Sequence, residues 1–187
     1  MKLFVRGLVL LLVLFSLVSC KKTLKQEDLP ANIVIGSSYY TQVDMRYEKG
    51  YFLTTNYRRG ASIPVNTKVT INKITSKTIE IGIPAFPKPF LIKNVQKHTG
   101  DDIFQTFDKL FASKKVNLWN FNSLERKHIK SGTVAKGMRK KAVIVAIGYP
   151  PITETMSLNA DSWVYWSGRF NKFRVYFKKG RVSKIVD

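Results

Sequence analysis

Apolar and polar positions alternate with a period of two in "TKVTINKI", where Val69 and Ile71 face one way and Lys68, Thr70 and Asn72 the other. "KTIEIGI" alternates again through Ile79, Ile81 and Ile83. In "YYTQVDMRYEKGYFLTTNY" two aromatic and β-branched runs flank Glu48-Lys49-Gly50, which predicts a hairpin. "PAFPKP", Pro84 to Pro89, breaks the sheet, and "FLIKNV" returns to it. Short strands with Gly/Pro punctuation predict a small, barrel-like β-domain over residues 33–98.

The period then changes. In "TGDDIFQTFDKLF", residues 99–111, Ile103, Phe104, Phe107, Leu110 and Phe111 keep helical spacing, and Thr99 with Asp102 is a variant capping box. Residues 99–122 read as this helix and a connection, whose Trp119 and Phe121 point to docking rather than a flexible linker. "FNSLERKHIKSG" predicts a second helix, with Asn122 as N-cap, Glu125 three residues on and Gly132 as the stop.

"KGMRKKAVIVAIGYPP" is ambiguous. Its Val and Ile favour a buried strand. Gly137 and Gly148 frame about three helical turns, and Gly148 followed by Pro150 and Pro151 is a helix stop. The cations Arg139, Lys140 and Lys141 stand at the end a helix dipole disfavours. Pattern alone leaves helix and strand both open. "SWVYW", "KFRVYF" and "RVSKIVD", with a tight turn at Lys179-Gly180, predict a closing antiparallel meander. The fold class is therefore α+β: a small N-terminal β-barrel-like domain, then a helix-helix plus three-stranded antiparallel sheet module.

The N-terminus changes the setting. "MKLFVRGLVLLLVLFSLVSCKK" has a short basic start, an apolar run too short for a comfortable bilayer span, and the chain's one cysteine. Leu17-Val18-Ser19-Cys20 resembles a bacterial lipobox. That resemblance implies a signal peptide over 1–19, lipidation at Cys20 and stable membrane anchoring by acyl chains. Residues 20–32, "CKKTLKQEDLPAN", read as a polar tether. With one cysteine, no disulfide forms within the chain.

The net charge of +20, from 32 Lys+Arg against 12 Asp+Glu, would favour nucleic acid in a cytosolic protein. "GRFNKFRVYF" even interleaves Arg and Phe like the core strand of an RNA-recognition motif. An exported chain meets anionic lipid and cell-wall polymers instead, so the expected partner is an anionic lipid surface and not nucleic acid.

Two further resemblances follow. "RRGASIPVNTKVTI" resembles a glycine-loop phrase of bacterial SH3-like domains. Gly137-Met138, Ile147-Gly148-Tyr149-Pro150, Trp163-Val164-Tyr165 and the closing "FKKGRV" resemble, in order and spacing, the BamE/SmpA/OmlA family of small outer-membrane lipoproteins. The likeness spans residues 123–187, about a third of the chain. It implies that Arg139–Ile147 is a helix ended by Gly148, and that Gly137, Met138, Gly148 and Pro150 are structural. It implies a non-catalytic scaffold with an envelope protein partner, on the periplasmic face of the outer membrane. Arg139, Lys140 and Lys141 would then face lipid or partner. Trp163 and Tyr165 are candidate anchors if the module instead caps an envelope enzyme as an inhibitor. A third expectation makes the SH3-like domain a peptidoglycan or glycan binder.

No catalytic constellation is legible. His98 and His128 have no ligand-spaced partner, and no cysteine is placed for zinc. Ser37-Ser38 lacks a nucleophile-elbow frame, and no phosphate-cradling glycine motif follows the lysines. No cofactor or metal is expected.

Overall fold

A computed structural model describes residues 22–187, so Cys20 and the stretch expected to be a signal peptide lie outside the described residues. Strands β1 (Ser38–Thr41), β2 (Met45–Tyr47), β3 (Tyr51–Leu53), β4 (Ala61–Ile63), β5 (Lys68–Ile74), β6 (Thr78–Gly82) and β7 (Phe90–Lys93) come first. Helices α1 (Gln96–Thr99) and α2 (Ile103–Leu110) and strand β8 (Phe111–Ala112) follow. Helices α3 (Ser123–Ser131) and α4 (Lys140–Ile147) precede the meander of β9 (Ser162–Trp166), β10 (Lys172–Lys178) and β11 (Arg181–Val186). The fold is α+β. It has a curled six-stranded sheet ordered β3-β7-β6-β5-β1-β8, a three-stranded antiparallel sheet ordered β11-β10-β9, and the pair β2-β4.

The alternating strands behave as their pattern requires. Val69, Ile71, Ile79 and Ile81 are all buried, and Ile71 stands opposite Ile81. A bulge after Ile71 re-aims β5 so that Ile74 also points inward, opposite Ile79. Glu48-Lys49-Gly50 does form a tight turn, with φ of 54° at Lys49 and 76° at Gly50. The predicted hairpin goes no further than the bridge Glu48–Tyr51, because β2 pairs with β4 and β3 runs parallel to β7. Local turn chemistry was legible; strand partners separated by about 40 residues were not, since loop closure leaves no local signature.

Three sequence boundaries move. Residues 22–32, expected as a tether, are fastened to the sheet. Thr23 bridges to Thr75, Leu24 N–H donates to Ile74 O at 2.9 Å, and Leu24 and Leu29 pack on the core. Two leucines five positions apart were too sparse to show a period. Helix α2 is capped by Asp102, not Thr99: its carboxylate accepts from Phe104 and Gln105 N–H, and Gln105 answers at Asp102 N–H. Thr99 instead ends α1. The helix expected over residues 99–111 runs from Ile103 to Leu110, and Phe111–Ala112 form a short strand at its end. Ile103, Phe107, Leu110 and Phe111 complete the first core, and β8 pairs with β1.

The second core lies between α3, α4 and the inner face of the meander. The ambiguous stretch is helical, with Ala142, Val143, Ala146 and Ile147 buried and Gly148 as its C-cap. Asn122, Glu125 and Gly132 take their expected places at the two ends of α3. Of the two aromatics before α3, Phe121 joins this core and Trp119 is exposed. Ile144 packs against both cores.

Candidate functional site at the seam between the two units

The seam is built where the first unit meets the C-terminal ends of α3 and α4. Helix ends leave carbonyls without intrahelical donors. Residues 44–58 supply those donors. Asn56, held at φ 58°, gives its Nδ2 to Ile147 O at 2.8 Å and Tyr149 O at 2.9 Å. Asp44 N–H reaches Val145 O at 3.1 Å. Arg58 Nη2 reaches Gly132 O at 3.3 Å, and Arg46 Nη2 reaches Ser131 O at 3.2 Å. Two cations at the end of α3 also suit its dipole.

Buried Asp44 is the shared counter-charge of Arg58 and Arg46, the latter at 3.5 Å. Its Oδ1 accepts from Arg58 Nη2 at 2.6 Å, and its Oδ2 accepts from Ser62 Oγ. Burial pulls the Arg58 guanidinium below its ordinary range, and the charge and hydrogen bond of Asp44 oppose that pull. Tyr165 OH, fully buried, donates to Gly148 O at 3.1 Å. Its phenol is pushed well above the ordinary range by burial.

A groove runs along the same seam. Lys141, Asn117 and Asn120 stand at one end. Tyr149 and Lys109 stand at its centre, and Ile152, Met156 and Leu158 rim the other end. Lys109 Nζ grips both oxygens of Asp101, at 2.8 and 2.6 Å, and lies 5.1 Å from the centre of the Tyr149 ring. Burial, and secondarily the Asp101 charge, raise the Tyr149 phenol above its ordinary range. Thr106 lines the groove wall with a buried hydroxyl that has no partner. The arrangement offers hydrogen bonds, one balanced ion pair and apolar rim contacts. It brings together no nucleophile and base, and no cluster of metal-ligating side chains occurs among the described residues.

The sequence-selected residues are distributed differently from expectation. Trp163 and Tyr165 are buried at 1% and 0% exposure, so neither is presented to a partner. Trp163 packs 4.6 Å from Phe177, and Tyr165 stacks 5.4 Å from Phe173. Both sit at inward positions of β9, and one-dimensional alternation cannot say which face of a sheet is covered. Arg139 is spent on buried Glu125, at 2.6 Å. Lys140 Nζ donates to three carbonyls, of Leu158, Asn159 and Ala160. Arg139 keeps 44% of its side chain exposed while so paired, and Lys141 is exposed on the rim of the groove. Met138 is buried, Gly137 takes φ 94°, Gly148 takes φ 75° and Pro150 is buried. His98 meets Thr153 Oγ1 at 3.1 Å and His128 meets Thr133 Oγ1 at 2.8 Å.

The residues that form the seam, Asp44, Asn56 and Arg58, carried no motif in the sequence. One signal was present: "TTNYRRG" sets an asparagine and two arginines before a glycine in an otherwise apolar β-region. No protein-family model, curated protein or solved structure matches this chain.

Proposed function

We propose that this chain is a non-catalytic, lipid-anchored envelope protein that serves as a protein-binding scaffold at the periplasmic face of the outer membrane. Its partner lies along the seam groove. The lipobox at Leu17–Cys20 and the BamE-like order of Gly137-Met138, Gly148-Tyr149-Pro150 and Trp163-Val164-Tyr165 support the setting. The observation that carries the binding reading is Met156. It is 91% exposed, yet it rims the groove with Ile152 and Leu158 beside Tyr149. Methionine and tyrosine are enriched where proteins meet, because they give large adaptable contact area. The first unit is read as an SH3-like, barrel-like domain that holds this groove's other wall.

The test is a photo-crosslinkable residue placed at Met156 in the full chain, expressed in its native envelope, with Cys20→Ala as control. A reproducible outer-membrane protein adduct that disappears in the control is expected. Adducts only to cell-wall fragments would replace this reading with a glycan-binding one. An adduct to a single soluble envelope enzyme would replace it with an inhibitor.

A further inference from the structure

Strand β10, which interleaves basic and aromatic residues in sequence, sorts them onto the two faces of the meander. Val175 and Phe177 are buried in the second core, and Phe173 packs against it. Arg174, Tyr176 and Lys178 take the alternate positions and are exposed. Across to β11, Arg174 stands opposite Val186, Tyr176 opposite Lys184 and Lys178 opposite Arg181. Residues directly opposite share a face, so the register gathers these six on the outer side of the sheet.

A bulge completes the set. Strict alternation from buried Val182 would send Lys184 inward. The register shift between Tyr176 and Phe177 takes up Ser183 and turns Lys184 outward, opposite Tyr176. The resulting cations are not balanced within the chain. Lys178 directly opposes Arg181, a like-charge pairing that destabilises a sheet. Arg181 Nη1 turns aside to Gly137 O at 3.1 Å. Arg174, Lys178 and Lys184 form no ion pair among the described residues. Arg174 Nη1 donates to Ser162 Oγ at 3.1 Å, which holds its guanidinium 5.9 Å from the centre of the Tyr176 ring.

One accessible ring among separated cations selects the occupant. Tyr176 is 39% exposed, and Arg174 and Lys178 stand about 13 Å apart along the strand on either side of it. Charge complementarity calls for an extended polymer with spaced anionic groups. Single-stranded nucleic acid gains its affinity from successive rings that stack successive bases. Here Phe173 and Phe177 are committed to the core. Trp166, at the outer end of β9, is engaged by Tyr57 and His98 at 5.5 and 5.0 Å. A charged glycan needs less: one sugar lays its C–H face on a tyrosine while its anionic substituents meet the flanking cations.

We infer that the outer face of β10 and β11 binds an anionic glycan, with a sugar on Tyr176 and its charged groups on Arg174, Lys178 and Lys184. This face is separate from the seam groove, and its test requires neither the groove's partner nor an acyl chain.

The experiment titrates the full chain, purified in neutral detergent, with three fluorescent probes: a heparin oligosaccharide, polyphosphate and oligo-deoxythymidine. Heparin should bind most tightly. Lys178→Glu with Lys184→Glu should weaken it about tenfold or more. Lys127→Glu with Lys130→Glu, exposed on α3, changes the net charge equally and should leave heparin binding within about twofold. Tyr176→Ala should weaken heparin several-fold and leave polyphosphate unchanged. Misfolding is separated by urea denaturation, since Lys178→Glu places an opposite charge across from Arg181 and should raise the midpoint while binding falls. Equal losses from the two double reversals would reduce the effect to net charge and overturn the inference. So would no loss from the β10–β11 reversal, or oligo-deoxythymidine binding more tightly than heparin. A Tyr176→Ala variant that leaves heparin binding intact, or weakens polyphosphate equally, would remove the sugar from the site and likewise overturn it.

Discussion

Arg139 encloses the carboxylate of Glu125, whose side chain has no exposure to solvent. Nε and Nη2 reach its two oxygens at 2.8 and 2.6 Å, and the Arg139 backbone N–H adds a third bond at 2.9 Å. Glu125 thereby does two jobs: it closes the capping box of α3 through Asn122 N–H, and it ties the start of α4 to the start of α3.

The Arg139 hydrogen bonds hold the Glu125 carboxyl down to about 2, from an ordinary value of 4.5, against the opposing effect of burial. A depressed carboxylate stabilises the fold above its unfolded-state pKa and loses that contribution as pH falls through the folded value. Glu125 therefore contributes fully above about pH 4.5 and progressively less toward pH 2. Glu125→Gln should lower the urea midpoint clearly at pH 6 and much less at pH 2.5. A midpoint difference that does not shrink with acid would show that shape, rather than charge, is what the clamp provides. Glu125→Ala should cost about 2 kcal/mol, since it removes the acceptor of the Asn122 and Arg139 backbone N–H groups.

Asp44→Asn removes the counter-charge from Arg58, whose side chain is only 6% exposed. The expected cost is about 3 kcal/mol. Because Asp44 and Arg58 lie on the seam, the loss should also weaken coupling between the two cores. Wild type should unfold in one transition by both tryptophan fluorescence and far-UV circular dichroism. In the variant the two probes should part. Coincident transitions in Asp44→Asn would mean that Asn56 and Ile144 suffice to hold the halves together.

Gly132 and Gly36 form a matched pair. Both have positive φ, 62° and 81°, but a Cβ on Gly132 would stand 2.9 Å from the Asp44 carboxylate, whereas one on Gly36 would meet open space. Gly36→Ala should cost about 1 kcal/mol for its backbone conformation alone. Gly132→Ala should cost about 2 kcal/mol more, because the contacted group is a buried charge that cannot move aside freely. Chemical denaturation of the two variants measures the difference directly.

Thr106→Val should stabilise the protein. The hydroxyl is buried without a partner, and valine replaces it with a methyl of the same shape. A gain of about 1 kcal/mol is expected from the urea midpoint at unchanged slope. A loss would indicate that the Thr106 hydroxyl is satisfied by groove water.

Much of the local structure was determined by the sequence itself, because local rules act over a few residues. The alternation through Val69, Ile71, Ile79 and Ile81, the caps Asn122 and Gly132 of α3, the turn at Lys49-Gly50 and the closing meander all follow from spacing and φ preference. The helix at Ala142–Ile147 was not settled by propensity. Its valines and isoleucines favour a strand, and burial between α3 and the meander overrode that preference. Tertiary structure alone decided the rest. It turned Trp163 and Tyr165 inward, since a period of two cannot choose the covered face. It committed Arg139 and Lys140 to groups within the chain and left Lys141 exposed, since charge in one dimension does not reveal its partner. It also brought Asp44, Asn56 and Arg58 to helix ends about 74 to 101 residues away. Those contacts exist because the ends of α3 and α4 leave carbonyls that some donor must meet, and only the folded chain determines which donor arrives.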